Sequence, residues 1–203
     1  MTKEEKKDIF YRYLTYFLVF SFFGWAFETF AVFLETGKWT ARGYFFIGPR
    51  LSQAFTTHNF SLLTSPNIWG LPAIEMYGIG GLLIVTLLKR YKDSILKIFV
   101  YGAIAMTVFE LLGSYWCENI LHHSYWDYSK DFLNFQGRIC LRSSIAWGIL
   151  SIFVIKVCEP LLEKYYLRIK KKKHYRIVLI VLGLLMIYCA LVKYIFYTNI
   201  IAN

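Results

Sequence analysis

The chain has 203 residues, 57% of them hydrophobic, 20% aromatic and only 18% charged, with a formal net charge of +10. So little charge cannot coat a soluble domain of this size, which excludes the ordinary globular enzyme and predicts an all-α, polytopic membrane protein; the mean hydropathy of +0.45 agrees. The positive charge gathers in short segments between apolar runs, where it sets orientation against anionic lipid, so the excess of lysine and arginine does not indicate nucleic acid.

The chain opens on a lysine-rich stretch (Lys3, Lys6, Lys7, then Arg12). Span 1 is predicted at about 9–36, long enough at roughly 1.5 Å per residue to cross a hydrocarbon core of about 30 Å with tilt. No small-residue cleavage site follows it, so it is expected to stay as an anchor. Within it Ser21, Gly24, Glu28 and Glu35 share one helical face. A long aromatic-rich connection follows, opening with RGYFFIGPR from Arg42 to Arg50. Span 2, about 71–88, has Pro72 near a first-turn position and carries Glu75, Tyr77, Gly78, Gly80 and Gly81.

A basic turn (Lys89, Arg90, Lys92) leads to span 3, about 95–121, with a second polar stripe of Thr107, Glu110, Ser114, Cys117 and Glu118. The loop after it is the chemically densest part of the chain: Trp116 to Gly148 reads WCENILHHSYWDYSKDFLNFQGRICLRSSIAWG. It brings Glu118, Asp127, Arg138 and Arg142 together with Trp116, Trp126 and Trp147. Span 4, about 139–157, continues past Pro160 as a basic helix extension or turn, and span 5 covers about 177–201. Five spans with basic inner segments put the N-terminus inside, the C-terminus and both long loops outside. The whole chain reads as one helical membrane domain in a bacterial plasma membrane.

Counted along the helices, Glu28 lies about 25 Å and Glu110 about 24 Å from the inner ends of their spans, with Glu75 and Arg142 each at about 21 Å. One layer of charge in the outer third of the bilayer is the result. An ionisable group at mid-membrane costs about 2.5–3.5 kcal/mol, so Glu–Arg pairing is expected, with Arg42 or Arg138 or a bound cation adding positive charge. The plainer reading is a set of polar helix-to-helix clamps. Trp126, Asp127 and their neighbours should form a lid, with Asp127 meeting Arg138 or Arg42, or else closing a local turn, and Trp126 packing over the outer ends of spans 1 and 3.

Weaker signals carry less. The four cysteines lack CxxC spacing, so no zinc site is expected; Cys117 and Cys140 read as a disulfide or as small apolar fillers. His122 and His123 are adjacent and point apart on a helix. The YGIGG run from Tyr77 opens no strand–helix unit and is no phosphate loop. Neither HEXXH nor a Walker sequence occurs.

Several stretches together carry a resemblance: FGWAFE (Phe23 to Glu28), ARGYFFIGP (Ala41 to Pro49), YGIGG from Tyr77, FELLGSYWCE (Phe109 to Glu118), YWDYS (Tyr125 to Ser129) and GRICLRSSIAWG (Gly137 to Gly148). In these the chain resembles the bacterial membrane family named Putative ABC-transporter type IV, the CmpB-like proteins. The resemblance covers most of residues 20–150, and the WDYS-to-GRI pair is its most specific part. Against the family pattern, residues 50–70 read as an insertion, and Glu75 as peculiar to this chain. The resemblance implies a permease-like membrane component, with an ATPase or membrane subunit as partner.

Three functions stay open at this point. The leading one is a permease-like component whose outward-facing pocket takes a small charged solute or ion through Glu28, Glu110 and Arg142. Tyr77 and Trp147 would line it, Glu75 is a secondary candidate, and Arg42, Glu118, Trp126, Asp127 and Arg138 would stand at the mouth. The second is an intramembrane enzyme acting on a lipid or lipid-linked substrate, and the third a non-catalytic assembly or sensor subunit. Membrane lipids are expected partners in all three, and the sequence names no cofactor.

Overall fold

The computed structural model describes residues 1–37, 72–120, 122 and 124–201, without the side chains of 35, 36 and 192–201. Among them the elements are helical: α1 (Lys3–Thr36), α2 (Glu75–Leu88), a 3-10 turn (Lys89–Tyr91), α3 (Ile95–Ile120), α4 (Leu141–Phe153), a π turn (Val154–Cys158), α5 (Glu159–Ile169) and α6 (Tyr175–Ile201). Three stretches are long and apolar enough to cross a membrane: Lys3–Leu34, Ile95–Ile120 and Leu141–Ile169. Tyr175–Leu191 is a shorter apolar helix. The expected 1–2 connection, with Arg42, lies outside the described residues.

The helices are inside-out relative to soluble ones. In α3 the buried set includes Gly102, Glu110, Gly113 and Ser114, while Ile104, Val108 and Leu112 are exposed. A soluble helix hides its apolar stripe; this one hides small and polar residues and offers the apolar ones to lipid.

Local chemistry sets the ends. Thr2 caps α1 in a capping box with Glu5, and the helix stops at Gly37, whose φ of 68° lets its N–H reach back to the Phe33 carbonyl. At the fourth predicted span, Pro160 does not end the helix. An α register would press its ring against the carbonyl four residues back, that of Lys156. The π turn immediately before it widens the ladder, with the Glu159 N–H reaching Val154, so α4, the π turn and α5 run on as one rod. This is the extension reading of that stretch.

The chain divides into two compact units, 1–79 with 170–203, and 80–169. In the first, α1 meets the start of α2 where both are stripped of bulk. A side chain at Gly24 would collide with the Tyr77 ring, and one at Gly78 with Ser21 and Phe17. That closeness lets the Ile74 N–H donate to the Ser21 carbonyl at 3.0 Å. At the other end of α1, Asp8 accepts from Arg12 (3.0 Å) and Lys170 (3.2 Å), and Arg176 approaches Glu4 at 3.6 Å. In the second unit α3 packs along α4, and Lys89 pairs with the buried Glu159.

Candidate functional site

The polar stripe of α3 is used rung by rung. The Thr107 hydroxyl donates to Ser144 Oγ at 2.8 Å, and Ser144 in turn donates to the Cys140 carbonyl at 3.0 Å. One turn on, Glu110 is only 8% exposed. Its Oε1 accepts from the Tyr128 hydroxyl and its Oε2 from the Ser143 hydroxyl, both at 3.0 Å, with the Trp147 indole alongside as a third donor. A turn further, Ser114 Oγ accepts from Arg138 Nη1 at 2.9 Å, and Arg138 Nη2 pairs with Glu118. The Arg138 guanidinium also lies over the Tyr115 ring, 4.3 Å from its centroid, and its Nε donates to Gln136.

The partners come from the loop between α3 and α4, and that loop is built from local chemistry. Asp127 closes an Asx turn: Oδ1 accepts from the Ser129 N–H at 2.8 Å and Oδ2 from its hydroxyl at 3.1 Å. The Tyr128 N–H then donates to the Gly137 carbonyl at 2.7 Å, and the Trp126 indole to the Arg138 carbonyl at 2.9 Å. Asn134 holds the far end, donating to the Ser129 and Asp131 carbonyls and accepting from the Gly137 N–H. Gly137 has φ of 69°, and a Cβ there would stand 2.6 Å from Asp127 Oδ1. Only glycine fits. The WDYS and GRI stretches are therefore two sides of one zipped turn.

Cys140 caps α4 in an unusual way, its Sγ accepting from the Ser143 N–H while its own N–H donates to Ser143 Oγ. Cys117 and Cys140 are both buried and form no disulfide, so the filler reading holds and the disulfide reading falls. The same capping geometry brings Ser143 to Glu110.

Several expected relationships are corrected by this geometry. Among the described residues, Glu110 is held by neutral donors and not by an arginine. Arg142, the second residue of α4, is an exposed side chain whose Nη2 meets Asp131 in the loop at 3.1 Å. Glu–Arg pairing is made higher up instead, between Glu118 and Arg138. Asp127 does not meet Arg138: the backbone N–H two residues along is already in place, whereas the guanidinium has turned toward α3. Reading from the sequence missed Tyr128 and Ser143, the two hydroxyl donors to Glu110. Their signal was position alone, one residue beyond Asp127 and three beyond the helix cap.

Tyr128 is a firm neutral donor. Burial first, then the adjacent Glu110 carboxylate, push its phenol well above the usual range, and Arg142 opposes this only weakly.

In the first unit Glu28 and Tyr77 make a parallel arrangement, the Tyr77 hydroxyl donating to Glu28 Oε2 at 2.7 Å. Glu75 is half-buried at the first residue of α2. Among the described residues no group of three or more His, Cys, Asp or Glu side chains is placed to hold a metal ion.

A family model described as Putative ABC-transporter type IV matches residues 15–192, which takes in every described residue of these clusters. The chain belongs to that family. No curated protein and no solved structure matches it. Membership in the Putative ABC-transporter type IV family, with the membrane-length helices, makes this a multi-pass, transport-related membrane protein.

Proposed function

We propose that the protein is the permease-like component of a bacterial plasma-membrane transporter, with five spans, the N-terminus inside and the C-terminus outside. In this reading the Glu110 cluster is the floor of an outward-facing pocket for a small cation, roofed by the zipped loop. One observation carries it: a carboxylate inside a membrane helix whose partners are the neutral donors Tyr128, Ser143 and Trp147. Among the described residues no cation stands beside this carboxylate, so its ionised form is costly in the membrane. A small positive solute removes the deficit. Glu28, served by the Tyr77 hydroxyl, is a second carboxylate of the same kind. An ATPase or second membrane subunit would supply energy, as the family description suggests.

Trp147 beside Glu110 makes the test direct. Titrating the detergent-solubilised protein with sodium, potassium or methylammonium should give a saturable change in tryptophan emission for at least one of them, absent in Glu110→Gln. A parent protein silent to all three, or a response that survives the substitution, sinks the cation reading.

A further inference from the structure

The zipped loop offers polar side chains to α3, while its tip is apolar and exposed. Phe132 is 74% and Leu133 66% exposed, with Phe135 beside them exposed as well. This tip is not slack chain. Asn134 fastens it to the Ser129 and Asp131 carbonyls, and Phe135 and Ile139 form an isolated antiparallel bridge across its base. Two large apolar side chains, both mostly exposed, are thus held out on a fixed turn.

We propose that this tip is a membrane anchor, seated at headgroup level in the leaflet that receives the start of α4. Three observations name lipid as the occupant. The loop runs directly into Leu141–Ile169, a stretch long and apolar enough to cross the membrane, and the Asp131–Arg142 pair pins the tip to the first turn of that helix. The tip therefore stands at the boundary between water and hydrocarbon. Leu141, Ile145 and Ile149, at four-residue spacing, form an exposed apolar stripe down α4, the helix to which that pair ties the tip. Exposed cations flank it: Lys130 adjoins it in the chain, and the Arg142 side chain is 74% exposed while bonding Asp131 through one nitrogen. Exposed apolar side chains with cations beside them match acyl chains and lipid phosphate.

The anchor has a consequence for the site. The same loop supplies Tyr128 to Glu110, so a tip held in lipid fixes the height of that donor above the bilayer core. The anchor itself does not depend on what Glu110 binds.

The test uses the full chain in liposomes with Phe132→Trp, and Leu133→Trp as an independent second probe, reading the emission added over the parent. The expected result is blue-shifted added emission that loses most of its intensity with lipids brominated near the top of the acyl chain. Lipids brominated near the chain end should take much less of it, and Ile149→Trp should show the reverse order. Added emission quenched by aqueous iodide and indifferent to brominated lipid would place the tip in water and overturn the proposal. Emission that neither quencher touches would mean a protein cover, a second copy or another subunit, and overturns it equally. Stronger quenching from the deep bromines also overturns the headgroup placement.

Discussion

The Tyr128 hydroxyl donates to the Glu110 carboxylate at 3.0 Å, joining the α3–α4 loop to an ionisable group inside a membrane helix. The first unit repeats the device with Tyr77 and Glu28 at 2.7 Å. In each case the acid lies on the inward face of a long helix, and a tyrosine from another element reaches it. Tyrosine suits this place because its ring is satisfied by apolar surroundings while its tip supplies one strong donor. Unlike arginine, it brings no charge. The acid is oriented by a neutral group.

Tyr128→Phe should remove the Oε1 donor and cost about 1–2 kcal/mol of stability in mixed-micelle unfolding. A double-mutant cycle with Glu110→Leu should show coupling of about 0.5–2 kcal/mol, and additive effects would mean the two groups do not interact. The pH dependence has a definite sign. A phenol whose folded pKa is raised contributes stability fully below its unfolded value of about 10, and loses it as pH rises toward the folded value. Stability should therefore decline above about pH 10, and less so in Tyr128→Phe.

Gly137→Ala should be costly for two separate reasons, a φ of 69° and the collision with Asp127 Oδ1. About 1–3 kcal/mol is expected. Asp127→Ala frees the space but opens the Asx turn, so the double variant should lose less than the two single losses together. Thermal unfolding of the four proteins decides it, and a Gly137→Ala variant as stable as the parent would show that the turn is not held as described.

The membrane character and the helix faces were legible because they depend on bulk hydropathy and period. Glu110, Ser114 and Cys117 read as one stripe from spacing, and they are buried together. What the spacing could not convey was partner choice. Equal depth along separate helices suggested Glu110 with Arg142, yet Arg142 begins its helix and answers to a nearby loop acid. Asp127 looked available to Arg138, yet a donor two residues away needs no chain closure and wins on entropy. The stretch past Pro160 read as either a helix extension or a turn, and the π turn before it shows why the rod continues. Ser143 became visible only through the odd cap at Cys140.

Orientation has its own test. With the N-terminus inside, a cysteine at Lys171 should react with a membrane-impermeant maleimide only after cells are opened, and one at Lys130 should react in intact cells. Lysine and arginine concentrate in the N-terminal stretch, the turn after α2 and residues 164–176, and such segments stay on the inner side. Labelling of Lys171→Cys in intact cells would invert the topology and move the zipped loop to the cytoplasm.

Charge reversal separates the pairing seen from the one first expected. Arg138 is fixed by Glu118, by Ser114 Oγ and by the Tyr115 ring, three contacts that need a planar fork and a face. Arg138→Lys should therefore be a poor replacement, keeping the charge while losing the simultaneous reach to Ser114 and Glu118. Its cost should be about 1–3 kcal/mol, below that of a fully buried pair because the Glu118 side chain is still 37% exposed. Arg138→Glu combined with Glu118→Arg should recover part of what either reversal loses. Arg138→Asp combined with Asp127→Arg should recover nothing, since Asp127 serves the Ser129 backbone and its loss opens the turn. Unfolding midpoints of the two double variants against their singles give the answer, and rescue by the Asp127 pair alone would refute the geometry described for this loop.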